Sequence, residues 1–183
     1  MRKLFIFTLG ILSWSSAIAF KLHSESFIPF TVFGDKYICF EQSGENISPQ
    51  LSWTDVPLET QSLLLFVHDP DAPRVRGVGH WVVYIDDTNI TSLKEGQSNN
   101  ENKEIVFGLN ERNENRYVGS CPPLGSGIHR YNFTLYALKT KLNKEKIKTL
   151  HQNELINLYS DKIIAQAVLT GFYKNKAESV ISK

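Results

Sequence analysis

Ser62-Leu63-Leu64-Leu65-Phe66-Val67-His68 decides the fold. A continuous apolar run of this length suits a strand buried on both faces. His80-Trp81-Val82-Val83-Tyr84-Ile85 is β-branched and aromatic, and reads as a second strand. From Arg130 to Leu138 the apolar residues alternate, with Tyr131, Phe133, Leu135 and Ala137 on one face of a third. Weaker strands are expected at Leu51 to Trp53 and Ile105 to Phe107. Helical spacing emerges only near the end, in Leu150, Leu155 and Leu158 and then in Ile163, Ile164, Ala167 and Val168. Asp161 reads as the N-cap of that second run and Gly171 as its close. Many strands first and short helices last predict a mainly β protein, a two-layer β-sandwich with short peripheral and C-terminal helices.

The chain has 183 residues, 42% of them apolar, enough for one domain with a real core. Its formal charge of +1 argues against a protein that coats nucleic acid. The first residues are a secretory signal by pattern. Arg2 and Lys3 precede the apolar run Leu4 to Leu12, and Ala17-Ile18-Ala19 is a small-x-small cleavage site. Nine apolar residues fall short of the roughly 20 that a transmembrane span needs. Cleavage after Ala19 is expected, with residues 20–183 as a single secreted or periplasmic domain. Losing nineteen residues with two cations and no acid leaves 164 residues and a formal charge of −1. Export changes the meaning of Cys39 and Cys121, since outside the cytoplasm two thiols are usually paired. The alternative is two separate buried thiols, and the Cα separation decides between them.

Polar residues concentrate in three loops beside the confident strands. In His68-Asp69-Pro70-Asp71-Ala72-Pro73 a strand ends in two acids held by stiffening prolines. Gly79-His80-Trp81 puts an imidazole at a strand entrance. Tyr117 through Tyr131 is a Gly- and Pro-rich loop whose glycines allow close backbone approach to a ligand, and it ends in His129-Arg130-Tyr131. Singly, each piece is more often a turn or packing than a site. The glycines are not a P-loop, because no Gly-Lys-Ser/Thr follows. Ser120 and Ser126 lie near His129, but neither sits in a Gly-x-Ser-x-Gly elbow, so no nucleophile triad is read here. Asn-x-Ser/Thr sequons at Asn46, Asn89 and Asn132 are attributed to chance.

Together these blocks resemble the phosphatidylethanolamine-binding protein family, also called Raf kinase inhibitor-like. The resemblance rests on Gly44-Glu-Asn-Ile-Ser-Pro-Gln-Leu-Ser-Trp53, Asp69-Pro-Asp-Ala-Pro73, His80-Trp81-Val-Val and Tyr117 through Tyr131, in that order. Ile163 through Tyr173 looks like the family's final helix and strand. The Asn-Ile-Ser-Pro block and the leader resemble the bacterial branch. Three departures stand out. Cys39 lies farther from Gly44 than the bacterial pattern places it, Cys121 occupies a position often held by glycine, and Lys162 stands where many bacterial members carry histidine.

The resemblance implies an antiparallel two-sheet sandwich with a small pocket for an anion such as a phospholipid-headgroup phosphate. It puts Asp69 and Asp71 at that pocket, His80 and His129 on its walls and Tyr131 on its floor. Gly119, Ser120 and Cys121 would offer backbone donors, while the Cys121 side chain, itself a departure from the family, would either crowd the pocket rim or bridge to Cys39. The expected function is non-enzymatic binding of a small phosphorylated or anionic ligand, with no catalytic residue, cofactor or metal. The alternative is a protein-interaction module inhibiting a protease or kinase. A metal-dependent hydrolase is the third reading. Two aspartates and two histidines could hold a divalent ion, but no His-x-x-x-His motif is present.

Overall fold

The computed structural model describes residues 19–175, so the expected leader lies outside the described residues except for Ala19. In chain order the strands are β1 (Lys21–His23), β2 (Leu51–Thr54), β3 (Ser62–Asp69), β4 (Val78–Ile85), β5 (Ser92–Leu93), β6 (Ile105–Phe107), β7 (Ile128–Leu138) and β8 (Ile163–Lys174). Two short helices, α1 (Lys144–Ile147) and α2 (Gln152–Tyr159), lie between β7 and β8. The strands form two antiparallel sheets, a small one ordered β1-β2-β5 and a large one ordered β6-β4-β3-β7-β8.

β3 is the central strand of the large sheet, and its apolar run is explained by two cores. Leu63, Leu65 and Val67 join Trp81, Val83, Phe133 and Leu135 in the core that also takes Leu22, Leu51, Trp53 and Leu93 from the small sheet. Leu64 and Phe66 face the other way, where Val82 and Tyr84 pack beneath Leu142, Ile147 and Leu155. Burial on both faces removes the polar alternation that a one-sided strand shows. Burying one such leucine stabilises the fold by roughly 1.5–3 kcal/mol.

The C-terminal expectation is only half met. Leu155 belongs to α2, but the run from Ile163 to Gly171 is not a helix. It is the first part of β8, paired with β7 from Ile163↔Leu138 to Lys174↔Ile128. Ala167, Leu169, Gly171 and Tyr173 face inward while Gln166 and Val168 face out. Spacings of three and four overlap a period of two in so short a segment, and the available hydrogen-bonding edge of β7 decides the matter. Asp161 lies in a 3-10 turn, Ser160–Lys162. Gly171 is no helix cap: a Cβ there would come 2.3 Å from the Phe33 ring.

Candidate functional site

Antiparallel pairing brings the end of β3 beside the starts of β4 and β7. His68 pairs with Gly79 on one side and Asn132 on the other, so Asp69, His80 and His129 gather at one end of the large sheet. A cavity of about 310 Å³ opens there. Asp69, His80 and Cys121 contribute to its wall, with Arg74, Asn110, Glu111, Arg112, Pro122 and Pro123 around them.

Asp69 is 2% exposed, and three donors hold its carboxylate. Oδ1 accepts the backbone N–H of Asp71 at 2.9 Å and of Ala72 at 3.1 Å, and Oδ2 accepts from His129 Nδ1 at 2.7 Å. The Asp-Pro-Asp turn is thus a built anion cradle for the protein's own aspartate. His129 is buried, and its Nε2 lies 2.9 Å from Ser126 Oγ rather than on the cavity wall.

His80 is also buried, and its Nδ1–H donates to the carbonyl of Val118 at 2.8 Å. A carbonyl can only accept, which fixes this tautomer. Burial, chiefly, pushes the imidazole below its ordinary value, so the ring is neutral and its Nε2 is an acceptor. That nitrogen has no partner. On this wall His80 accepts at Nε2, and it can donate from that nitrogen only after taking up a proton. Tyr131 packs edge-on against His80, with ring centroids 5.2 Å apart, and sits behind the lining residues rather than forming the floor. Its hydroxyl and that of Ser120 are buried without hydrogen-bond partners. Burial holds the Tyr131 phenol far above its usual range, so it stays protonated.

Of the remaining expected residues, Asp71, Gly119 and Ser120 are engaged away from the cavity. Asp71 is turned outward and clamped by Arg130, whose Nε, Nη2 and backbone N–H all donate to it within 2.8 Å. The guanidinium holds its carboxyl at about 2. Gly119 N–H is taken by Asn46 Oδ1 at 2.6 Å, and Ser120 N–H points to the Tyr37 carbonyl at 3.4 Å. These two donors serve the 37–46 segment instead of a ligand. Gly119 is needed for that close approach, because a Cβ would lie 2.4 Å from the Ile38 carbonyl carbon. Cys121 is joined to Cys39 with Cα atoms 5.5 Å apart, so the bridge borders the cavity.

Sequence reasoning missed Arg74, Asn110, Glu111 and Arg112. Asn110, Glu111 and Arg112 belong to the polar run 110–116, a loop with no motif of its own, while Arg74 directly follows the Asp69-Pro-Asp-Ala-Pro73 block. Arg112 pairs with Glu41 at 2.6 Å and Arg74 approaches Glu111 at 3.7 Å. The wall thus carries two cations and two acids beside a neutral imidazole. The four acid and histidine residues of the hydrolase reading do not share a centre. Among the described residues, the cluster close enough for an ion is Cys39, Glu41 and Cys121, whose sulfurs are bonded to each other. No described helix is long and apolar enough to cross a membrane.

The chain is a two-sheet sandwich with a cavity built from loops at one end of the large sheet. The phosphatidylethanolamine-binding protein family model matches residues 22–174, and the chain belongs to that family. A UPF0098 protein of Chlamydia pneumoniae is 43% identical over 145 residues, covering 76% of this chain and 88% of the relative. Among solved structures, a phosphatidylethanolamine-binding protein homologue from Chlamydia trachomatis is 38% identical, with a TM-score of 0.74 over 85% of this chain and 97% of that one. YbcL of Escherichia coli is 28% identical, with a TM-score of 0.79 over 86% and 99% of the two chains. These bacterial relatives are consistent with the expected branch.

Proposed function

We propose that this chain is an exported binding protein whose cavity takes a small anionic or phosphorylated ligand. The observation that carries the reading is the unpartnered Nε2 of buried His80 on the wall of a cavity that also presents Arg74 and Arg112. A buried polar atom without a partner is costly, and a ligand that satisfies it recovers that cost. A phosphate oxygen that keeps its proton donates to the neutral ring, or the ring takes up a proton as the anion enters. Asp69 and Glu111 oppose a dianion and favour a monoanion or a zwitterion with an amine. The Cys39–Cys121 bridge supports export, since such bonds persist in oxidising compartments.

The test uses the secreted form, with Phe20 expected at its N-terminus. Calorimetric titration with phosphoethanolamine and with inorganic phosphate should show binding that weakens about 10- to 100-fold in His80→Ala, the range for a hydrogen bond to a charged group. Equal affinity in the two proteins would remove the basis of the reading.

A second reading, a module that inhibits a protease, is favoured by exposed apolar side chains in the loops bordering the cavity. Phe40, Val75 and Leu124 are 64%, 105% and 54% exposed. A stoichiometric protein partner recovered from the native compartment would favour it over a small ligand.

A further inference from the structure

The pocket loop carries a run of linked side chains of which the binding reading uses only Asp69. Asp69 Oδ2 accepts from His129 Nδ1 at 2.7 Å, and His129 Nε2 lies 2.9 Å from Ser126 Oγ. We propose that Ser126 is a histidine-activated nucleophile that accepts acyl groups from activated esters, with Asp69, His129 and Ser126 acting as one relay.

Each member has the property its place requires. Asp69 is fixed by two backbone N–H groups on Oδ1, so Oδ2 is aimed at the imidazole. His129 is 1% exposed and commits Nδ1–H to that carboxylate, which leaves Nε2 directed at the serine oxygen. Ser126 itself is exposed. Gly125 and Gly127 flank it with φ of +83° and +82°, and a Cβ at either would meet nothing within 4 Å. The hydroxyl therefore stands on an uncovered turn where an ester can approach. It has one proton and two acceptors in reach, the Pro123 carbonyl at 2.7 Å and His129 Nε2 at 2.9 Å. Rotation about Cβ–Oγ moves the proton between them. A base–nucleophile pair oriented by a third group is recognised by geometry, not by sequence position. This explains why a Gly-Ser-Gly turn lacking the strand-to-helix elbow can still carry one.

The chemistry balances without an added reagent. Ser126 Oγ bonds to the ester carbonyl carbon as its proton passes to His129 Nε2. The bond from carbon to the leaving oxygen then breaks, and that oxygen takes the proton from Nε2. An acylated serine and a free alcohol result.

The full chain is mixed with p-nitrophenyl acetate, and p-nitrophenolate release is compared with that from the urea-unfolded chain and from Ser126→Ala. General-base assistance predicts release about 100-fold or more faster from the folded chain, lost in Ser126→Ala. Release at the same rate in Ser126→Ala, or no excess over the unfolded chain, overturns the proposal. A variant-free version uses a fluorophosphonate, which forms an Oγ–P bond as P–F breaks. Peptide mapping should place the label on Ser126, and a label on other residues alone, or none, overturns the proposal equally.

Discussion

At the residue scale, one buried imidazole and one half-buried one make stability depend on pH. His80 and His68 are both pushed below the ordinary histidine value, chiefly by burial. In the unfolded chain they return to about 6.5. Between their lowered folded values and about 6.5 the unfolded chain binds more protons, so stability falls as pH falls through that window. Asp71 acts in another window: its stabilisation by Arg130 is present above about 4 and is lost as pH drops toward about 2. The urea midpoint should therefore be lower at pH 5 than at pH 7, and His80→Gln should flatten the difference. An unchanged slope in that variant would show that His80 is not buried neutral. The same neutrality ties binding to pH in the opposite sense, because an anion favours the protonated ring.

At the element scale, β8 shows how a partner strand overrides local periodicity. The apolar spacing from Ile163 to Val168 fits a helix on paper, yet eleven residue pairs join this strand to β7. Gly171 separates the two readings by the sign of one measurement. In an exposed helix Gly→Ala stabilises by about 1 kcal/mol. In β8 the added methyl meets the Phe33 ring at 2.3 Å. Phe33 is itself packed edge-on against Phe27 with centroids 4.8 Å apart. Gly171→Ala is expected to destabilise by about 1–3 kcal/mol, the usual cost of overpacking, read from the denaturant midpoint. A rise in the midpoint would contradict the packing described for this strand.

At the scale of the whole molecule, the Cys39–Cys121 bridge ties the segment before the Gly44 block to the loop that walls the cavity, across 82 residues. Loop-closure entropy of that span predicts that Cys39→Ser with Cys121→Ser lowers stability by about 4 kcal/mol, and that reductant lowers the parent protein by a similar amount. Equal midpoints with and without reductant would show that the bridge does not constrain the unfolded chain. Much of this architecture was legible in advance. Ser62 to His68 and His80 to Ile85 carry apolar, β-branched and aromatic patterns that suit strands in a buried sheet, and the Asp-Pro-Asp, His-Trp and His-Arg-Tyr blocks marked the candidate functional end. Chain-local chemistry determines such patterns, because strand and turn propensities act over a few residues. What those blocks face is a different matter. Asp71 turned to Arg130, Gly119 to Asn46, and Ser126 to His129, while Arg112 reached the cavity from a loop with no motif and Arg74 from the position just after the Asp-Pro-Asp-Ala-Pro block. Hydrogen bonds between residues 59 to 73 positions apart, or a three-residue step across a turn, depend on where strands are registered. The sequence by itself determined the family, the strands and the polar residues at one end. Only the tertiary structure decided which of those residues meet a ligand and which meet each other, because that choice is made by register and side-chain direction.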